Sequence, residues 1–129
     1  MTYHHKVLLI EDDAFTRFMM HEIISGLGVE VESASNGEEG FRTLSDRPGE
    51  FGLVLMDLHM PIMSGLDATL KIRNEISDPP RRVPIIAVTA DVTYHDDKRV
   101  EKLGMNGYAS KPVSPGKLMS LIDQYCPAA

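Results

Sequence analysis

The chain has 129 residues, of which 43% are hydrophobic and 25% are charged, which predicts one domain over 1–129 with a core at about 6–125. Its formal net charge of −6 argues against nucleic-acid binding, which needs clustered lysine and arginine. Because there is neither an apolar run of the roughly 18 residues of a membrane helix nor a signal-peptide pattern, we predict a cytoplasmic protein that binds no membrane.

Short β-rich runs alternate with longer segments of helical character along the chain. The strands are predicted at 6–10, 30–34, 52–56, 84–89 and 107–110, and the helices at 14–27, 37–45, 65–76, 92–103 and 114–125. Several of the strands are continuously apolar, as expected of strands that are buried on both faces. Strand then helix, five times, predicts an α/β protein in which a parallel sheet carries helices on both faces.

The predicted helices begin and end at residues that suit those positions. Gly28 and Gly104 follow the first and fourth helices as C-terminal glycines, since glycine adopts the left-handed conformation of that position. Asn36 and Ser114 can cap the second and fifth helices, and Pro115 suits a first helical turn.

Two of the apolar runs end in carboxylates. The first leads into Glu11, Asp12 and Asp13, and the third leads into Asp57. In a doubly wound sheet the carboxyl ends of the strands border the functional crevice. Two carboxylates roughly 5 Å apart repel by about 3 kcal/mol at an effective dielectric of about 20, so the cluster needs a cation or a protonated member.

The acidic triplet leaves two pairings open. The pair that faces Asp57 is either Glu11 with Asp12 or Asp12 with Asp13. The first is favoured because it follows the strand without a gap, and Asp13 is then free to begin the first helix.

A hydroxyl and a lysine complete the candidate site. Thr89 ends the fourth strand and Lys111 follows the fifth. Glu11, Asp12 and Asp57 offer the oxygen ligands that Mg²⁺ prefers, and Asp57 can act as a nucleophile that forms an aspartyl-phosphate. Lys111 and Thr89 can stabilise the phosphoryl oxygens.

Four stretches carry a resemblance to a known family. They are 7–13 (VLLIEDD), 56–65 (MDLHMPIMSG), 86–90 (IAVTA) and 107–112 (GYASKP). In this order and at these spacings they resemble the receiver domain of two-component response regulators, the CheY-like family, over essentially the whole chain. The resemblance implies a flavodoxin-like, doubly wound sheet of five parallel strands in the order 2-1-3-4-5.

The resemblance also implies how the acidic residues are used. Asp57 is the phosphoacceptor, and Mg²⁺ is bound by Glu11, Asp12, Asp57 and the backbone carbonyl of His59, whose imidazole is not a ligand. His59 and Asp91, each two residues beyond a site residue, are expected to tune the lifetime of the phosphate.

Thr89 and Lys111 are implied to contact the phosphate, and Tyr108 to be the aromatic residue of a conformational switch. From the residues alone, Tyr108 is equally compatible with static core packing. The bond between Lys111 and Pro112 is expected to be cis, which the proline permits.

The implied partner is a histidine kinase or a histidine phosphotransfer protein. The chain is then a regulatory phosphoacceptor, a monomer or weak dimer, that assists its own phosphorylation and dephosphorylation and is not an enzyme in the usual sense. If Thr16, Met20, Ile23 and Leu27 of the first helix face the sheet, an apolar patch of Phe15, Phe18 and Met19 is left toward solvent. We predict that Phe15 and Phe18 receive a helical, histidine-containing phosphodonor; the alternative is that they pack beneath neighbouring loops.

Three questions of function stay open at this point. With no output segment after Cys126, a single-domain regulator that signals by protein contact or by onward phosphotransfer is favoured, and a receiver from a hybrid histidine kinase is the alternative. A haloacid-dehalogenase-type phosphatase also uses an aspartate nucleophile but needs a second aspartate where this chain has His59. A module that binds without phosphorylation is expected to lack Asp57, Thr89 or Lys111, and all three are present.

Overall fold

The sheet consists of five parallel strands in the order β2-β1-β3-β4-β5, in a computed structural model that describes residues 6–77 and 80–126. The strands are β1 (Lys6–Ile10), β2 (Val31–Ala34), β3 (Phe51–Asp57), β4 (Ile85–Thr89) and β5 (Gly107–Ser110). The helices are α1 (Ala14–Gly26), α2 (Gly37–Asp46), α3 (Gly65–Glu75), α4 (Asp97–Lys102) and α5 (Pro115–Tyr125). The predicted fold class and strand order are confirmed.

Side chains alternate between the two faces of each strand, which gives the sheet a core on either side. On one face Leu9 and Leu55 pack with Ile24 of α1 and with α5. On the other face Met56 packs with residues of α2, α3 and α4, among them Ile72. Because both faces are covered, a polar site has to lie at an end of the strands, and in doubly wound sheets it lies at the carboxyl end.

The strand register brings the carboxyl ends of β1 and β3 to the same level. Ile10 pairs with Met56, so Glu11 and Asp57 follow paired residues on adjacent strands. Asp57 in turn pairs with Val88 on β4. The residue after Val88 is Thr89, which therefore lies beside the same edge.

The predicted helix caps are confirmed. The side chain of Asn36 accepts a hydrogen bond from the backbone N–H of Glu39, and that of Ser114 accepts one from Lys117. Gly28 and Gly104 have φ angles of +86° and +92°, a conformation in which a side chain is strained.

The prediction of one continuous helix over 92–103 was wrong. A 3₁₀ turn spans Val92–Tyr94, and α4 begins at Asp97. The Asp96 side chain accepts hydrogen bonds from the backbone N–H groups of Lys98 and Arg99, and such a cap starts a new helix instead of continuing an old one. The other predicted elements match the structure to within one residue at each end. None of the helices in the described residues is long and apolar enough to cross a membrane.

Candidate functional site

Three carboxylates converge at the carboxyl edge of the sheet. One oxygen from each of Glu11, Asp12 and Asp57 lies within 4.8 Å of the other two. Glu11 and Asp57 are 1% and 5% exposed, whereas Asp12 is open to solvent. The pocket is therefore closed below by two buried acids and open above, as a site needs to be if its ligand enters from solvent.

Lys111 supplies a positive charge to this cluster. Its Nζ lies 2.6 Å from Glu11 Oε1 and 3.4 Å from Asp57 Oδ1. Burial by itself lowers the pKa of Lys111, but the bond to Glu11 and the charges of both acids raise it, and the net shift is upward. The ammonium group therefore stays charged between the two acids.

Asp57 is an unusual carboxyl group. Burial raises its pKa, contacts with Asp12 and Glu11 raise it further, and Lys111 only partly offsets them, so that the pKa of Asp57 lies at about 7. Glu11 Oε1 is also buried and receives no well-angled hydrogen bond, although the lysine is near. One lysine is thus too little positive charge for the site, and a set of carboxylate donors of this kind fits Mg²⁺.

Asp13 has a separate task, as favoured from the sequence. Its carboxylate accepts hydrogen bonds from the backbone N–H and the hydroxyl of Thr16, at 2.8 and 2.7 Å. These bonds cap α1 and hold the pKa of Asp13 below its usual range. The backbone N–H of Asp13 donates to Glu11 Oε2 at 3.1 Å, so the cap also fixes the orientation of Glu11.

Thr89 is buried at the end of β4, and its oxygen atoms are both engaged. Its hydroxyl accepts a hydrogen bond from the Asp91 backbone N–H at 3.0 Å. Its carbonyl accepts one from the Lys111 backbone N–H at 3.1 Å, which carries the β4–β5 pairing to the site. The bond between Lys111 and Pro112 is cis, as expected.

The loop after Asp57 packs tightly against the backbone of Asp57 itself. A Cβ atom on Gly65 would collide with the Asp57 carbonyl oxygen and lie 2.8 Å from the Leu58 Cα. The Met63 backbone N–H donates to the Pro61 carbonyl at 2.7 Å, which leaves the intervening Ile62 at a φ of +69°. Glycine is thus required where α3 begins.

The His59 imidazole faces Asp91 and not the acidic cluster. Its Nε2 lies 3.1 Å from Asp91 Oδ2, and its backbone N–H donates to Asp57 Oδ1 at 3.3 Å. Hydrogen bonds from Thr93, together with the contact to His59, hold the pKa of Asp91 low. The pair spans the rim between the β3–α3 and β4–α4 loops.

Sequence reasoning missed two residues that support the site. Arg17 Nη1 donates to the Glu11 carbonyl at 2.8 Å and so holds the acidic loop; a cation one turn beyond the triplet was the available signal. His95 Nε2 lies 2.9 Å from the Thr89 carbonyl oxygen, and its ring stacks on Tyr108. His95 was overlooked because a single helix was predicted through its position.

The apolar patch of α1 is exposed, as predicted. Phe15 and Phe18 are 72% and 60% exposed, and Met19 is also exposed. A groove of about 510 Å³ runs between this helix and the segment from Lys111 to Val113. An apolar groove thus begins at the lysine of the acidic site.

Fold and site together define a signalling receiver with an aspartate phosphoacceptor, because the sheet order, the acidic pocket and the lysine occur in one arrangement. The family model of the response regulator receiver domain matches residues 7–123, and the chain belongs to that family.

Curated relatives include both long and short proteins. The hybrid signal transduction histidine kinase G of Dictyostelium discoideum is 33% identical over 124 residues, which cover 95% of this chain but 4% of that kinase. The polar-differentiation response regulator DivK of Brucella anthropi is 30% identical over 119 residues, which cover 92% of this chain and 94% of DivK. The match therefore includes a short regulator over nearly its full length.

Solved structures show the same fold. The receiver domain of the sensor histidine kinase PA1611 of Pseudomonas aeruginosa, with a magnesium ion in its active-site cleft, is 29% identical at a TM-score of 0.82, covering 94% of this chain and 96% of that one. The Saccharomyces cerevisiae co-crystal structure of the phosphotransfer protein Ypd1 with the receiver domain of Ssk1 gives 26% identity, a TM-score of 0.82 and coverages of 97% and 90%.

Proposed function

We propose that Asp57 accepts a phosphoryl group from a phosphohistidine donor, with Mg²⁺ held by Glu11, Asp12, Asp57 and the backbone carbonyl of His59. The observation that carries the proposal is the convergence of three carboxylates on one lysine, with Lys111 Nζ 3.4 Å from Asp57 Oδ1. When bound, Mg²⁺ supplies positive charge that offsets the carboxylates and the phosphoryl oxygens.

In the transfer step a carboxylate oxygen of Asp57 attacks phosphorus. A phosphorus–oxygen bond forms, the phosphorus–nitrogen bond breaks, and its electron pair stays on the donor imidazole, which takes a proton from water. Lys111 turns from the acid pair toward a phosphoryl oxygen, where its fixed charge stabilises the product.

Thr89 and Tyr108 carry the response in this proposal. The Thr89 hydroxyl leaves the Asp91 N–H and donates to the phosphoryl group on Asp57, and Tyr108 turns inward behind it. The movement is passed to α4 and α5, because Tyr108 lies on β5, the strand that stands between these two helices in the chain.

The same site assists hydrolysis of the phosphoryl group, so that the protein limits the lifetime of its own phosphorylated state. Water must pass the rim formed by the pair of His59 and Asp91, whose side chains lie 3.1 Å apart. We propose that this pair sets the lifetime of the phosphate by limiting access to the phosphorus.

The partner we propose is a histidine kinase or a histidine phosphotransfer protein whose helix lies on the exposed patch of α1. The exposure of Phe15 and Phe18 and the groove that reaches Lys111 support this docking mode. So does the similarity to the Ssk1 receiver, which is crystallised with a phosphotransfer protein.

Transfer kinetics test the docking mode. Phe18→Ala is expected to slow transfer from a phosphorylated donor by about tenfold at limiting donor, because a large apolar contact is lost. Met119→Ala, at an exposed apolar residue of α5, is the matched control and should leave the rate unchanged. An unaltered rate for Phe18→Ala would remove this partner surface.

We further propose one domain over 1–129 that acts as a single-domain regulator, a monomer or weak dimer, and signals by contact or by onward transfer. The coverage of DivK over 94% of its length supports this. The hybrid kinase relative, of which the chain spans 4%, supports a receiver of a hybrid kinase as the alternative. The cytoplasmic location stays a prediction of the sequence.

Labelling with acetyl phosphate and Mg²⁺ tests the central proposal. The wild type should gain the mass of one phosphoryl group as an alkali-labile acyl phosphate, and the gain should disappear when Mg²⁺ is chelated. Asp57→Asn should not be labelled, whereas Asp67→Asn, at an exposed acid of α3, should be labelled as the wild type is. Equal labelling of Asp57→Asn would contradict the proposal.

A further inference from the structure

His95 connects the two residues to which the switch is assigned. Its Nε2 lies 2.9 Å from the Thr89 carbonyl oxygen. Because a carbonyl can only accept, Nε2 carries the hydrogen and donates it. The His95 ring also stacks on the ring of Tyr108, with ring centroids 5.1 Å apart and planes 9° from parallel. One imidazole thus contacts both Thr89 and Tyr108.

The backbone around His95 fixes the direction of this ring. The His95 N–H donates to the Val92 carbonyl at 3.1 Å and closes the 3₁₀ turn. The next residue, Asp96, is the N-cap of α4. His95 therefore lies in the break between two short helical segments, where its side chain is turned back toward β4 and β5 and not out along a helix face.

The contact with His95 opposes any displacement of Thr89. The Thr89 hydroxyl is engaged with the Asp91 N–H, so it must reorient before it can donate to a group on Asp57. The carbonyl of the same residue is bonded both to His95 and to the Lys111 backbone N–H. Movement of the Thr89 backbone either breaks the bond to His95 or carries the imidazole, and with it the stacked Tyr108.

We propose that His95 is a positioning residue that holds Thr89 and Tyr108 in contact with its imidazole, so that a phosphoryl group on Asp57 must detach one of them from the ring. The proposal rests on the roles proposed above for Asp57 and Thr89. It assigns His95 to the inactive state, and removing its contacts makes the active state easier to reach.

Three substitutions separate the two contacts of His95. His95→Gln keeps an N–H donor for the Thr89 carbonyl but loses the aromatic stack. His95→Phe keeps a flat ring for Tyr108 but loses the donor. His95→Ala loses both contacts. Each is compared with Lys98→Ala, at an exposed residue of α4.

The measurement is the affinity for beryllium fluoride, a phosphoryl mimic, at saturating Mg²⁺ by titration calorimetry. A net hydrogen bond and an aromatic pair each correspond to about fivefold in an equilibrium constant. Because only one of the two contacts has to break, we expect His95→Ala to bind the mimic about fivefold more tightly than the wild type. His95→Gln and His95→Phe should tighten binding by no more than this, and Lys98→Ala should equal the wild type. The affinity for Mg²⁺ alone should be the same in all variants, since His95 does not contact the three acids.

Several outcomes would overturn the inference. If His95→Ala binds the mimic as the wild type does, or more weakly, His95 does not restrain the inactive state. If Lys98→Ala also tightens binding, the effect is a general loosening of α4. If circular dichroism shows that His95→Ala is unfolded, the affinities of His95→Gln and His95→Phe for beryllium fluoride take its place. Wild-type affinity in both of these variants would refute the inference. A wild type that does not bind the mimic overturns this inference together with the proposed function, whereas binding without an effect at His95 overturns this inference alone.

Discussion

Replacing the proposed phosphoacceptor by its neutral isostere, Asp57→Asn, should stabilise the protein in the absence of divalent metal. Asp57 is buried beside Glu11 and Asp12, and an ionised carboxylate there is opposed both by burial and by like charge. Asparagine keeps the shape and removes the charge. Its amide can also donate to the neighbouring carboxylates, which a carboxylate cannot.

The magnitude follows from the pKa of Asp57, which is raised from 3.8 to about 7. Each unit corresponds to about 1.4 kcal/mol, so three units cost the ionised wild type up to ~4 kcal/mol of unfolding free energy. Since the folded protein binds the proton more tightly than the unfolded chain, the wild type loses stability as pH rises from about 4 to about 7. We expect Asp57→Asn to gain ~2–4 kcal/mol above pH 7 and to lose this advantage toward pH 4.

Urea unfolding with a chelator, followed by circular dichroism at several pH values between 4 and 8, measures this difference. Asp123→Asn, at an exposed acid of α5, is the matched control and should change the free energy of unfolding by less than ~0.5 kcal/mol. A variant at position 57 that is no more stable than the wild type at pH 8 would refute the reasoning. So would a stabilisation that does not vary with pH, because the cause would then not be the titration of Asp57.

Three further outcomes follow from the same contacts. Mg²⁺ at 100 times its dissociation constant should raise the wild-type unfolding free energy by ~2.7 kcal/mol. The rise should be smaller in Asp57→Asn. If Mg²⁺ raises the thermal midpoint of both proteins equally, the metal binds elsewhere. Gly65→Ala should lower the unfolding free energy by ~2–3 kcal/mol, because its Cβ collides with the Asp57 carbonyl. Its control is Gly116→Ala, whose Cβ meets nothing within 4 Å and which should raise the unfolding free energy by up to ~1 kcal/mol in the same urea titration. Equal effects of the two substitutions would contradict the packing argument. Ile62→Asn should gain ~0.5–1 kcal/mol, since Ile62 is 84% exposed and a β-branched residue is strained at a φ of +69°; a loss in thermal midpoint would show that the strain is absent.

Much of the site could be predicted from the sequence, because strands, helices and their exposed faces depend mainly on residues that are close together in the chain. Apolar runs that lead into Glu11 and Asp57 predict strands whose carboxyl ends carry charge, and the parallel sheet follows from the alternation of strands and helices. The exposure of Phe15 and Phe18 likewise follows from helical periodicity. These features depend on spacing along the chain, which the sequence contains in full.

The tertiary structure decided the features that depend on distance between segments. Asp13 caps α1 while Glu11 faces Lys111, and this division depends on a hydrogen bond and an ion pair that any carboxylate of the triplet could have made. The raised pKa of Asp57 depends on burial, which no local pattern measures. The position of His95 between Thr89 and Tyr108 depends on the break before α4, where the Asp96 cap prevails over the continuous helix predicted from the sequence. These contacts join residues that are far apart in the chain or compete with a local helical pattern, so they are settled only when the chain is folded.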